Sequence, residues 1–247
     1  MSAFLTAKSL TESSGSGSSH FDGAVTTTGA ADTAGGAVSI TTSGEVHFAN
    51  TITANGGNQS VAGAGKNAGS VYLRSTATNV QVESAINARG SNANTAGAGG
   101  AGGAVTVNAS TTAAVGAVNT NGGNAAAADN NGGAAGAVDI TAGTSITLNG
   151  DISAVGGGSG GGAGVQGAGG NVHLHGSTIL GGDRSINTGA TAGDILFADI
   201  LNATTDFVET LGLTAGTGNI TFSGIVGGVK KLGDVTLNSA AAVEASA

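Results

Sequence analysis

The sequence predicts an all-β chain wound as a right-handed parallel β-helix, with Gly/Ala/Asn-rich excursions stacked at one corner. Three observations carry this. Short Gly-led phrases recur with Val38, Val71, Val105, Val138 and Val172 at the same place, and the step between them is constant to within one position. A period this steady, of about 33–34 residues, marks one supersecondary unit stacked on itself. Within each period the apolar residues come as i, i+2 pairs, the rhythm of a strand with one buried face. Each period then closes with a run of Gly, Ala and Asn that returns at the same phase.

The first strand of the best-formed period carries Val38/Ile40, the second Val46/Phe48, and the third Ile52 with small Ala54. Later copies repeat the second strand as Val80/Val82, Ala113/Val115 and Ile146/Leu148, and the third around Ile86, Val118 and Ile152. The offsets from Val38 to Ile52, Val71 to Ile86, Val105 to Val118 and Val138 to Ile152 are nearly equal, so like positions fall into columns. Branched side chains in such columns fill one another's gaps.

Residues 1–34 read as an irregular segment with a partial rung. Ser13–Ser19 resembles a Ser/Gly linker, and Val25 stands too close before Val38 for a full rung. Residues 35–171 hold four long repeats. Their excursions, Asn55–Ser70, Gly90–Ala104, Asn121–Ala137 and Val155–Asn171, are near-constant in length. That favours one ordered fin, while their composition alone fits mobile tassels. Residues 172–247 read as shorter rungs with a weakly capped end. The lead-ins to Ile195, Ile220 and Val235 follow at shorter steps, the last the shortest, so the fin stops while the coil continues. Phe197 and Phe222 widen the core there.

Val, Leu, Ile and Phe make up about a fifth of the 247 residues, a level at which disorder competes. Only 9% of residues are charged, too few for a self-repelling coil, and a narrow core needs few large side chains. The chain has no Cys, hence no disulfide framework or thiolate metal site. It has no Pro, which suits continuous ladders. A net charge of -8 argues against nucleic-acid or anionic-membrane partners. No apolar run is long enough to span a bilayer. Met1–Lys8 lacks a basic stretch leading into an apolar one, so no signal peptide is expected in it.

The phrases Gly169-Gly-Asn-Val-His-Leu174, Ala215-Gly-Thr-Gly-Asn-Ile-Thr-Phe222 and Leu232-Gly-Asp-Val-Thr-Leu-Asn238 resemble the β-strand repeats of filamentous-haemagglutinin-like adhesins and autotransporter-type passengers. The likeness rests on a repeated G-x-[VI]-x-[LIF] rhythm over most of residues 35–240. It implies an exported right-handed parallel β-helix acting as a stalk or adhesive fibre. The period here is longer than the roughly 20-residue coil of such repeats. Handedness also follows from the near-universal right hand of parallel crossovers.

Candidate chemistry is sparse. His173 and His175 flank Leu174 and point outward one pleat apart, a spacing at which two imidazoles can share a metal. Glu45 and His47 lie in another strand about four rungs away, so no third ligand is expected and the pair reads as solvated surface histidines. Gly157–Gly161 matches a nucleophile-elbow string and Gly97–Gly102 a dinucleotide fingerprint. Neither has the helix that such motifs need. No Gly-Gly-x-Gly-x-Asp series suggests a calcium roll.

The acids are spread over Asp139, Asp151, Asp183, Asp194, Asp199, Asp206 and Glu209. Asp151 and Asp183-Arg184 come nearest to a cluster, and a surface ion pair between Asp151 and Arg184 is the simple expectation. Tyr72 is the one Tyr and there is no Trp, so platforms for sugar stacking are few. Thr26–Thr28 and Thr41-Thr42 would need exact repetition to make an ice-binding array. Tyr72 and Arg74 break it.

The expectation is a non-catalytic structural protein, secreted or at the cell surface, whose partners are other copies of itself or other surface and matrix components. No catalytic, cofactor-binding or metal site is expected. The alternative is a protein that binds or cleaves polysaccharide, which would require acids lining a groove.

Overall fold

The computed structural model describes residues 4–246. They form a parallel β-solenoid of 25 short strands with no helix, arranged in three sheets that run the length of the stack. The first and third sheets have nine strands each and the second has seven. Every ladder neighbour is parallel and comes from the adjacent rung. At a strand spacing of about 4.8 Å, nine rungs make a rod roughly 40 Å long.

The columns align as the period predicts. In the first sheet Val38 pairs with Val71, Val71 with Val105, Val105 with Val138 and Val138 with Val172. All five are at most 1% exposed. The neighbouring column runs Ile40, Leu73, Val107, Ile140, Leu174, Phe197 and Phe222. In the second sheet Phe48 stands on Val82, and in the third Val25, Ile52, Ile86, Val118, Ile152 and Ile186 succeed one another. One continuous core cluster results, and no buried side-chain nitrogen or oxygen among the described residues lacks a hydrogen-bond partner. Aromatic rings stack near both ends of the core: Phe21 on Phe48 at 4.5 Å, and Phe197 on Phe222 at 5.3 Å.

The two ends of the chain differ from the sequence reading, for one physical reason. An i, i+2 apolar pair looks alike in all three sheets, so it does not say which column it enters. Val25 belongs to the third sheet under Ile52, and Phe21 to the second under Phe48. The first strand of that rung is Leu10–Gly15, which pairs Leu10 with Val38 and shifts register between Glu12 and Gly15. Gly15 and Ser19 of the Ser-rich run thus have ladder partners, and the segment before Val38 already stacks. At the other end, Val235 pairs with Leu211 in the third sheet. The first column resumes at Val243, opposite Ile220 and one bare coil further along the chain. The short step to Val235 is a change of sheet.

Candidate functional site: the glycine fin and the histidine faces

The excursions are ordered. Each leaves the coil after the third strand and returns to the first, and its neck is closed by a backbone hydrogen bond. Gly69 N–H donates to Ala54 O, Gly103 to Ala88, Gly136 to Thr120 and Gly170 to Ala154, and a shorter excursion before Val38 closes in the same way through Gly36 N–H to Thr27 O, all at 2.7–2.9 Å. Thr27 and Thr120 add a second closure at 2.7 Å through their buried hydroxyls, which donate to Gly36 O and Gly136 O.

Beyond the neck the outgoing and returning legs form two layers. Outgoing legs stack on one another through Gly56 to Arg89 O, Gly90 to Asn121 O and Gly122 to Val155 O. Returning legs stack through Ala68 to Ala101 O, Gly102 to Ala134 O and Ala135 to Ala168 O. The layers join through Gly123 to Gly100 O, Gly133 to Gly123 O, Gly157 to Gly133 O and Gly167 to Gly157 O. These joining glycines are buried. A Cβ on Gly123 would overlap the Ser91 carbonyl oxygen, and one on Gly157 the Gly123 carbonyl oxygen. Only glycine lets main chain approach main chain this closely. The fin is therefore a glycine interior that main-chain hydrogen bonds hold together.

Asn and Asp fasten successive rungs. The side-chain oxygen of Asn55 accepts from Arg89 N–H at 2.8 Å, Asn67 from Ala101 at 2.8 Å, and Asn92 from Asn124 at 2.8 Å. Asn121, Asn124, Asp129 and Asn131 accept in the same way from Val155, Gly158, Ala163 and Val165 at 2.7–2.9 Å. On the coil itself, Asp151 accepts from Ser185, Asp183 from Thr210, Asp194 from Asn219 and Asp206 from Lys231. Each side chain satisfies a main-chain donor that would otherwise face solvent or remain unpaired. The N–H of Thr210 holds the Asp183 carboxyl below the usual carboxylate range. The Lys231 N–H does the same for Asp206, and the Ser60 hydroxyl and N–H for Asp32.

These contacts place Asp151, Asp183, Asp194 and Asp206 of the acids named from sequence. Asp151 and Asp183 are both engaged by backbone. The expected Asp151–Arg184 ion pair does not form among the described residues. Arg184 instead donates to the carbonyl oxygens of Leu148 at 2.9 Å, Asp183 at 2.7 Å and Gly181 at 3.0 Å. Register places Asp151 beside Ser185 rather than Arg184, because Ile152 pairs with Ile186. Gly157–Gly161 and Gly97–Gly102 both lie in the fin, without a helix. Thr41 stands opposite Arg74 and Ser39 opposite Tyr72, so the outer Thr rows are broken as expected. Tyr72 and Arg74 line a shallow depression with Asn108 and Thr141.

The four histidines fall into two outward pairs. On the second sheet, His20 and His47 occupy successive rungs with ring centroids 5.2 Å apart. His20 Nε2 lies 3.0 Å from Glu45 Oε2, and His47 Nε2 lies 3.0 Å from Glu83 Oε1. Asn79 donates to Glu45 Oε1 at 2.7 Å, and this bond, aided by His20, lowers the Glu45 pKa. On the first sheet, His173 and His175 share one strand, 5.9 Å between centroids. A third donor does stand beside them, against expectation. Asp139 pairs with His173 across the ladder, and its Oδ2 lies 3.7 Å from His175 Nε2. One donor atom from each of the three lies within 4.8 Å of the others. Reading along the strand alone misses the rung below. The signal is in the sequence all the same, because Val138 one period before Val172 puts Asp139 under His173.

No family model, no curated protein and no solved structure matches this chain.

Proposed function

We propose that the chain is a non-catalytic structural element, a segment or subunit of an extracellular or cell-surface bacterial fibre or adhesin. Its work is to be a straight, hydrogen-bonded rod that joins further rungs end to end. The observation that carries this reading is the unbroken parallel stacking of the three sheets, rung upon rung, around one continuous apolar core. Val235, Leu237 and Val243 are 41%, 44% and 46% exposed, whereas Leu211, Leu213 and Ile220 directly beneath them are at most 1% exposed. A further rung of the same rhythm would bury the three side chains and pair the free strand edges, whether it came from continuing sequence or from a second molecule.

The engagement of Asp151 and Asp183 with backbone N–H groups supports a fastening role over polysaccharide cleavage, which needs carboxylates free to exchange protons. Sedimentation of the purified chain across a wide concentration range, with negative-stain imaging, tests the reading. Concentration-dependent rods of increasing length are expected. A strictly monomeric, globular particle at the highest concentration would contradict it.

A further inference from the structure

We propose that Asp139, His173 and His175 form a binding site for a divalent transition-metal ion of the zinc, cobalt or nickel class. The fold supplies the tripod. His173 and His175 leave the same strand two positions apart and point to the same side. Asp139 rises from the adjacent strand directly opposite His173. Tetrahedral zinc with bonds of about 2.0–2.2 Å needs donor atoms about 3.3–3.5 Å apart. The Asp139–His175 edge is already 3.7 Å, and no edge exceeds 4.8 Å. The side chains of Asp139 and His175 are 43% and 41% exposed, so small χ rotations close the remaining gap without moving the ladder.

Two imidazoles and one carboxylate suit first-row transition metals, whereas calcium and magnesium require oxygen donors. The ladder neighbours of the three residues are Thr106, Thr141 and Leu196, none of them charged. The basic residue in line on this face, Arg74, lies two rungs below Thr141. The Thr141 hydroxyl is 3.5 Å from Asp139 Oδ1 and orients the carboxylate, leaving Oδ2 toward His175. Solvent supplies the fourth position. His20 and His47 offer no such tripod, since their Nε2 atoms face two different glutamates. The ion would tie the Val138–Ala142 strand to the Val172–His175 strand.

Calorimetric titration of the tag-free chain with zinc chloride tests the site. One zinc per chain is expected. His173→Ala/His175→Ala should abolish the heat, Asp139→Ala should weaken binding at least tenfold, and His20→Ala/His47→Ala should change nothing. In the unaltered protein, zinc should shift the imidazole NMR resonances of His173 and His175 alone, a readout that needs no variant to fold. No zinc binding overturns the proposal. So does binding that survives the His173/His175 double variant, or zinc-induced shifts confined to His20 and His47.

Discussion

The N–H of Gly123 donates to the carbonyl of Gly100 one rung below at 2.8 Å, through a gap that admits no side chain. Gly123→Ala would drive a methyl group into the Ser91 carbonyl. The variant should lower the denaturation midpoint by the equivalent of about 1–3 kcal/mol, the usual cost of overpacking. Gly17→Ala, where an added Cβ meets nothing within 4 Å, should leave the midpoint nearly unchanged. Equal effects at the two positions would mean that the fin is not packed as described.

Core columns should respond by depth in the stack. Ile140 is fully buried between Val107 and Leu174, so Ile140→Ala should cost about 2–5 kcal/mol. Leu237 occupies a comparable inward position but is 44% exposed in the last described rung. Leu237→Ala should cost well under half as much in thermal or denaturant unfolding. Should growth of the rods bury Leu237, that difference would shrink in assembled material.

Asn124 tests the rung-to-rung fastenings. Its Oδ1 accepts from Gly158 N–H at 2.7 Å, and Asn124→Ala removes the acceptor. A loss of about 0.5–1.5 kcal/mol is expected from one such hydrogen bond. Asn124→Asp keeps an acceptor oxygen and should recover most of the loss in the same assay.

Acid should weaken the stack. Asp32, Asp183, Asp206 and Glu45 all titrate below their ordinary values of 3.8 for Asp and 4.5 for Glu, through hydrogen bonds to their ionised forms. Groups with depressed folded pKa values contribute stability that is fully present above the ordinary carboxylate pKa. It is lost as pH falls through the folded value. The thermal midpoint should therefore hold from neutrality to about pH 5 and drop below about pH 4. Asp183→Asn/Asp206→Asn retains the acceptor oxygens without the titration, so its acid limb should be shallower. An identical limb would show that these carboxylates do not drive the loss.

What is legible in the sequence, and what it hides, follows from which atoms carry the stabilisation. The columns through Val38 and Ile52 are readable because burial depends on side chains, and side chains are what a sequence spells out. The columns entered by Val25 and Val235 are easily misplaced because three sheets share one i, i+2 rhythm. The fin's order is undecidable from Gly, Ala and Asn alone, since its bonds run between main-chain groups such as Gly133 N–H and Gly123 O. Asp139 escapes notice beside His173 because the contact crosses rungs and lies a full period away in the chain.

Register between rungs sets the whole fold, and disulfide formation reads it out cleanly, because the chain has no native Cys to interfere. Asn108 and Thr141 are ladder partners on the outer face of the first sheet, and His175 lies one rung beyond Thr141. Partner Cα atoms in adjacent strands are about 4.8 Å apart, inside the range a disulfide spans, whereas two rungs separate them by about 9.6 Å. Asn108→Cys/Thr141→Cys should oxidise readily to an intramolecular disulfide, and Asn108→Cys/His175→Cys should not. Cross-linking of the second pair in preference to the first would contradict the stacked register.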